Sequence, residues 1–251
     1  MGKPKWEASV SQYVKRFEKN EKGTDWACGD IHGMFRLLQT ELDNMGFDPL
    51  IDRLFSVGDL VDRGPDPELA LEYIAKPWFH AVQGNHEDLA IRWPNGNMDA
   101  GNYTANGGGW NVANTPDVQR QFSDAFGALP IAIQVETEGG LVGIVHADCP
   151  FPNWPDFVTS LEDPNISKRM HGAIVDAAMW SRERIQNEDQ SGVEDVRAVI
   201  VGHTPLQKPA VLGNVYHIDT GACFRNGYFT FIDLATLETV PAIPNKLEWE
   251  A

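Results

Sequence analysis

Thr24-Asp25-Trp26-Ala27-Cys28-Gly29-Asp30-Ile31-His32-Gly33 decides how this chain is to be read. Residues 24–28 read as a short strand ending at Gly29, and Met34, Leu37, Leu38, Glu41, Leu42 and Met45 then follow at mostly apolar helical spacing. Asp30 and His32 therefore sit in a strand-to-helix loop, whose glycines permit a tight turn and close backbone approach. The layout returns down the chain. Leu54-Phe55-Ser56-Val57 leads into Gly58-Asp59-Leu60-Val61-Asp62-Arg63-Gly64, after which Pro67 opens a helical stretch carrying Leu69, Ala70, Tyr73 and Ile74. Phe79-His80-Ala81-Val82 leads into Gly84-Asn85-His86-Glu87, residues 141–145 into His146, and residues 198–201 into Gly202-His203-Thr204. The pattern predicts an α/β fold, and in open sheets of that kind such loops gather at the carboxyl ends of the strands, where ligands bind.

The side chains in these loops suit one kind of chemistry. A phosphate ester resists attack because its oxygens already carry negative charge, and two divalent metals about 3.5–4 Å apart both neutralise that charge and supply hydroxide at neutral pH. Such a pair wants mixed oxygen and imidazole ligands, with at least one carboxylate able to bridge. Asp30, His32, Asp59, Asn85, His146 and His203 supply that mixture, which suits manganese, iron or zinc.

The blocks GDIHG, GDLVDRG and GNHE, in that order and about one βα unit apart, resemble the phosphoprotein phosphatase branch of the calcineurin-like metallophosphoesterases. His146, Trp180-Ser181-Arg182, Gly202-His203-Thr204-Pro205 and Ile218-Asp219-Thr220-Gly221-Ala222 continue the likeness, as does Asn106-Gly107-Gly108-Gly109-Trp110. The set is most similar to the compact bacterial and bacteriophage enzymes of the lambda phosphatase type, from about residue 24 to about 234. The resemblance implies two packed β-sheets flanked by helices. It also implies that Asp30 and His32 hold one metal, that Asp59 bridges, and that Asn85, His146 and His203 hold the second. Arg63 and Arg182 would clamp the phosphoryl oxygens by paired guanidinium hydrogen bonds. His86 would act as general acid toward the leaving alkoxide, with Asp62 bonded to its ring to orient it and raise its basicity. No covalent phosphoenzyme is needed.

The whole chain, 251 residues with 42% hydrophobic content, is expected to form one catalytic domain. Its formal charge of −16 opposes binding to extended nucleic acid. No segment has the apolar length of a membrane span, the start lacks a signal layout, and Trp6 stands where lipidation at Gly2 would want Ser or Thr, so a cytoplasmic setting is the expectation. Cys28, Cys149 and Cys223 form no disulfide or ligand pattern, and Cys149 is expected to be a packed or partly exposed thiol despite its nearness to His146. Residues 1–22 place Val10, Tyr13, Val14 and Phe17 at helical spacing, predicting an amphipathic helix on the core, or else a partner-binding helix. Residues 93–115 read as an irregular excursion, followed by a helix from Thr115-Pro116 with an apolar face of Phe122, Ala125 and Phe126. Strands are predicted at 131–135, 141–145, 198–201, 215–219 and 228–233, while residues 151–195 overhang the site.

Each reading has a plainer competitor. A lone Gly-Asp-x-His-Gly usually binds nothing, and it is the joint recurrence of six loops that argues for a metal site. Arg63 could be a surface ion-pair former, and Arg182 part of a solvated helix face beside Arg184 and Lys168. His80, His171 and His217 read as hydrogen-bonded structural residues. Among functions, hydrolysis of phosphoserine or phosphothreonine in proteins leads, with phosphotyrosine an open second substrate. Symmetrical dinucleoside tetraphosphate hydrolysis is the alternative. In that competitor the third block usually continues with Asp and another His, whereas this chain has Glu87-Asp88-Leu89-Ala90. A catalytically dead binding module would need a lost ligand or clamp, and none of those positions is lost.

Overall fold

The computed structural model describes residues 13–241. Strand β1 (Val14–Phe17) precedes β2 (Asp25–Cys28), α1 (Phe35–Met45), β3 (Arg53–Ser56), α2 (Leu69–Ile74), β4 (Phe79–Ala81) and α3 (Asn85–Arg92). Three helices follow, α4 (Ala100–Ala105), α5 (Gly109–Val112) and α6 (Pro116–Gly127), then the hairpin β5 (Ala132–Thr137) and β6 (Gly140–Val145). Helices α7 (Trp154–Glu162), α8 (Lys168–Trp180) and α9 (Glu183–Gln186) lead to β7 (Ala198–Val201), β8 (Ala210–Leu212), β9 (Val215–His217), β10 (Phe231–Asp233) and β11 (Thr239–Val240).

The strands form a six-stranded sheet, ordered β1-β5-β6-β7-β9-β8, and a five-stranded sheet, ordered β11-β10-β2-β3-β4. Alternation along each strand decides which residues meet. Ile133, Val135, Val142, Ile144, Ala198 and Ile200 of one sheet pack against Ala27, Phe55 and Ile232 of the other. Their neighbours Val199 and Val201 turn outward to α7 and α8, and Cys28, Leu54 and Phe79 to α1, α2, α3 and α6. All four β7 residues are buried, as a parallel strand covered on both faces requires. The result is the αββα sandwich expected.

Parallel pairing gives the site its place. β2 runs parallel to β3 and β3 to β4 in one sheet, and β6 to β7 in the other. Asp30, Asp59, Asn85, His146 and His203 therefore all emerge beyond the carboxyl ends of strands, from both layers of the sandwich.

The helix predicted over residues 1–22 is corrected where the structure describes it, from residue 13 onward. Val14–Phe17 is an edge strand, parallel to β5 with Val14 opposite Ala132 and Phe17 opposite Val135. Val10 lies outside the described residues. Residues 93–115 are less irregular than expected, because α4 and α5 fall inside them, the first capped by Asp99 accepting from Asn102 N–H at 2.8 Å. Helix α6 starts with Pro116 as predicted, although the Thr115 side chain makes no cap hydrogen bond. Among the described residues no helix is long and apolar enough to cross a membrane.

Candidate metal centre

Two groups of buried side chains present ligand atoms within 4.8 Å of one another: His32, Asp59 and His86, and Asp59, His146 and His203. Asp59 belongs to both. Its Oδ2 lies 3.6 Å from His32 Nε2 and 3.8 Å from His86 Nε2, and its Oδ1 3.4 Å from His146 Nε2. Asn85 joins the second group, its Oδ1 lying 2.9 Å from His146 Nε2 and 2.8 Å from His203 Nδ1. Asp30, by contrast, stands back from the first group, 3.9 Å from His32 Nε2, and its carboxylate accepts the backbone N–H of His203 at 3.0 Å.

The backbone is bent to make this convergence. His32, Asp59, Asp62, Arg63 and His203 all adopt positive φ, between 45° and 70°, a region that costs side-chain-bearing residues energy and is held only where neighbours over-determine it. Two glycines make room for the carboxylates. A Cβ on Gly84 would collide with the Asp59 carboxylate and one on Gly202 with that of Asp30. Glu87, fully buried one turn into α3, accepts N–H groups from Gly84, Asp59 and Leu60, each at 2.8 Å, and so ties the second and third loops together.

Carbonyl groups aim the imidazoles. His32 Nδ1 donates to Val61 O at 2.9 Å and His146 Nδ1 to Val57 O at 2.7 Å, which turns each Nε2 lone pair inward. His203 is reversed: its Nε2 meets Trp180 O at 3.2 Å, so its Nδ1 faces Asn85. Burial pushes His32 and His203 down to about 3, so both are neutral near pH 7, the form that binds a cation. Burial, with the charges of Asp219 and Asp59, holds Asp30 well above the usual carboxylate range. Burial alone would raise Asp59 too, but His146, His86 and His32 outweigh it and hold it well below. Asp219, packed against the Asp30 carboxyl, is pushed up to about 6 by burial and by the charge of Asp59. Burial would lower His146 as well, but the Asp59 carboxylate beside it outweighs that and holds it above the usual value. Buried carboxyl oxygens beside inward-facing imidazoles form a donor set that suits divalent cations.

The cationic side chains flank the groups on opposite sides. Arg63 Nη1 donates to His32 Nε2, and Arg182 Nε lies 3.2 Å from His203 Nε2. Asp62 lies against His86, with Oδ2 at 2.6 Å from Nδ1, and is itself held by the Trp110 indole N–H at 2.7 Å. Behind Arg182, the buried Arg184 donates through Nε to Asp148 Oδ1 at 2.8 Å, joining the loop after His146 to α9.

Asp219, Glu87, Asp148 and Arg184 join the centre although none was a candidate site residue from sequence, and so does Trp110 through its hydrogen bond to Asp62. Asp219 carried a signal, since it follows an apolar strand in the manner of Asp30. The Asp148–Arg184 pair carried none, because nothing local says that residues 36 positions apart meet. His171 Nε2 donates to Leu161 O at 3.1 Å, as a structural histidine should. His217 corrects the expectation, for neither ring nitrogen has a hydrogen-bond partner among the described residues. The three cysteines are free, and the Cys149 thiol rests near Phe151 O at 3.7 Å rather than in either metal group.

The chain belongs to the calcineurin-like phosphoesterase family, which matches residues 26–219. It is 34% identical over 216 residues to serine/threonine-protein phosphatase 1 of Salmonella typhimurium, covering 85% of this chain and 93% of that one. It is 40% identical to a symmetrical bis(5'-nucleosyl)-tetraphosphatase of Pseudomonas putida, but over 73 residues, 28% of this chain and 25% of that one. Among solved structures, that of a candidate diadenosine tetraphosphatase has the same fold, with a TM-score of 0.61 at 19% identity, covering 95% of this chain and 99% of the other.

Proposed function

We propose that this chain is a metal-dependent serine/threonine protein phosphatase, with phosphotyrosine as a second substrate class. The observation that carries the reading is the Asp59 carboxylate standing between two pairs of buried imidazoles, with Arg63 against one pair and Arg182 against the other. Asp30, His32 and Asp59 would hold one cation, with Asp219 behind Asp30. Asn85, His146 and His203 would hold the second, sharing Asp59. The oxygen and imidazole donors suit manganese, iron or zinc, and manganese is our reading. When bound, such a pair neutralises phosphoryl charge and acidifies the attacking water.

The protein's own groups do the rest. Arg63 and Arg182 grip the phosphoryl oxygens, their planar forks fixing the phosphorus for attack from the side opposite the leaving oxygen. As the water oxygen joins phosphorus, the bond to the serine or threonine oxygen breaks and its electron pair leaves with that oxygen. His86 Nε2 supplies the proton, because Asp62 engages Nδ1 and leaves Nε2 facing the centre. A proton of the attacking water passes to solvent and solvent reprotonates His86, so that free hydroxyl and inorganic phosphate result.

Protein substrates are favoured over dinucleoside tetraphosphates by the extent of likeness. Resemblance to the Salmonella phosphatase runs through the chain, whereas resemblance to the tetraphosphatase covers about a quarter of either protein. The three free cysteines accord with a cytoplasmic setting, which we include in the proposal. The test is hydrolysis of phosphoserine peptide, phosphotyrosine peptide and diadenosine tetraphosphate by manganese-loaded protein. Fastest release from the phosphoserine peptide is expected; faster tetraphosphate cleavage overturns the substrate class.

A further inference from the structure

We propose that Trp110 is a positioning residue for proton delivery: its indole N–H fixes Asp62 and, through it, the ring of His86. The inference rests on the reading of His86 as general acid. It gives the Asn106-Gly107-Gly108-Gly109-Trp110 motif a purpose within that chemistry.

The three side chains form one line of hydrogen bonds. Trp110 Nε1 donates to Asp62 Oδ1 at 2.7 Å, Asp62 Oδ2 lies 2.6 Å from His86 Nδ1, and His86 Nε2 then faces Asp59. Asp62 and His86 are buried, at 0% and 1% exposure, so water is no substitute for a missing partner. A carboxylate has two oxygens to satisfy and can rotate about its last bond. With Oδ1 taken by the indole, Oδ2 is left in one place, and the imidazole plane follows it. The indole is itself fixed, its ring edge-on to Phe122 at 4.8 Å, while the next residue, Asn111, donates to the Tyr103 hydroxyl at 3.2 Å and accepts from Gln119 through its carbonyl at 3.0 Å.

The start of the motif serves the same loop by another contact. Asp62 and Arg63 are successive residues with φ of 70° and 65°, a conformation the surroundings must impose. Gly107, at φ 101°, closes on it so tightly that a Cβ there would stand 2.6 Å from Arg63 N. Residues 106–110 thus strap the acid's partner and the phosphoryl clamp from outside the sheet ends.

Kinetics on two leaving groups test this. Trp110→Phe keeps a ring against Phe122 but removes the donor, and should lower kcat on a phosphoserine peptide about tenfold, a part of the 10²–10⁴ that general acids contribute. On p-nitrophenyl phosphate, whose leaving group needs little protonation, kcat should stay within about twofold. Placed on His86→Asn, the same substitution should cost nothing more. Trp93→Phe is the control, since the Trp93 indole nitrogen is buried without a partner among the described residues, and it should treat both substrates alike. If His86→Asn itself shows no preference between leaving groups, the acid reading fails. If His86→Asn does and Trp110→Phe slows both substrates equally, or adds its full loss to that of His86→Asn, the positioning role is overturned. Should Trp110→Phe not fold, nitrogen-15 spectra of the eight indoles in zinc-loaded protein decide. One indole resonance should move in Asp62→Asn, and none moving overturns the contact.

Discussion

Asp59 accepts the backbone N–H of His86 on the same Oδ1 that faces His146, while its Oδ2 faces His32 and His86. An amide at this position would place an NH₂ among imidazole lone pairs and remove the one charge common to both groups. Asp59→Asn should therefore lose bound metal and activity together. Removing groups that merely orient ligands costs about 10–100-fold, so losing the shared ligand should exceed about a hundredfold in kcat/KM. Metal content by elemental analysis, measured beside the rate, checks this; full metal with full rate removes Asp59 from the centre. At this scale the sequence was informative because each donor sits in a loop directly after an apolar run, glycine-flanked in every case but His146. Asp219 follows the same rule, but its purpose depends on meeting Asp30 across 189 residues of chain, a proximity that no local pattern encodes.

Elements were legible where their signals were local. Helix α1 buries Leu38 and Leu42 of the run read from sequence, together with Phe35, which that reading left out, and stops at Gly46, whose φ of 74° ends it. Strand β1 was not, because four residues are too few to show alternation and its partner β5 lies far along the chain. What anchors β1 is a contact between the sheets: Phe17 meets Phe55 at 5.0 Å and His80 at 4.3 Å. Burial, with Lys15 and Arg53 nearby, pushes His80 down to about 3. Its unfolded value is about 6.5, so below that pH the unfolded chain binds the proton that the folded chain refuses. Stability should fall as pH drops from about 6.5 toward 3, by up to about 1.4 kcal/mol per pH unit from this residue. His80→Phe should flatten that limb of the denaturation midpoint plotted against pH, and an unchanged slope would show that the ring is already protonated in the fold. Helix α9 offers a second prediction. Breaking a buried ion pair by removing one partner costs about 3–5 kcal/mol. Arg184→Leu leaves Asp148 buried and unpaired, and loosens the segment that carries Arg182. It should lower Tm by roughly 6–20 °C, at about 2–4 °C per kcal/mol for a chain of this size. A shift under about 2 °C by calorimetry would mean that solvent already screens the pair.

At the scale of the whole molecule, two sheets are held face to face by an apolar layer, yet their carboxyl ends meet over a cluster of buried carboxylates and imidazoles. Asp30 and Asp59 follow strands of one layer and Asp219 follows β9 of the other, so the repulsion among the three carboxylates works against the docking of the sheets at that end. Divalent cations would reverse the effect, turning the weakest end of the sandwich into a cross-link between layers. Folding and metal binding should then be linked: a ligand that binds only the native state stabilises it by about 2.7 kcal/mol at a hundred times its Kd. For a chain of this length that corresponds to a Tm rise of roughly 5–11 °C on saturation with manganese. Scanning calorimetry of chelator-treated protein against protein titrated with manganese checks the magnitude. The gain should shrink in Asp59→Asn but persist in His86→Asn, which keeps every proposed ligand. Equal loss of the gain in both variants would make His86 a ligand rather than the acid, and would require a different proton donor for the leaving oxygen.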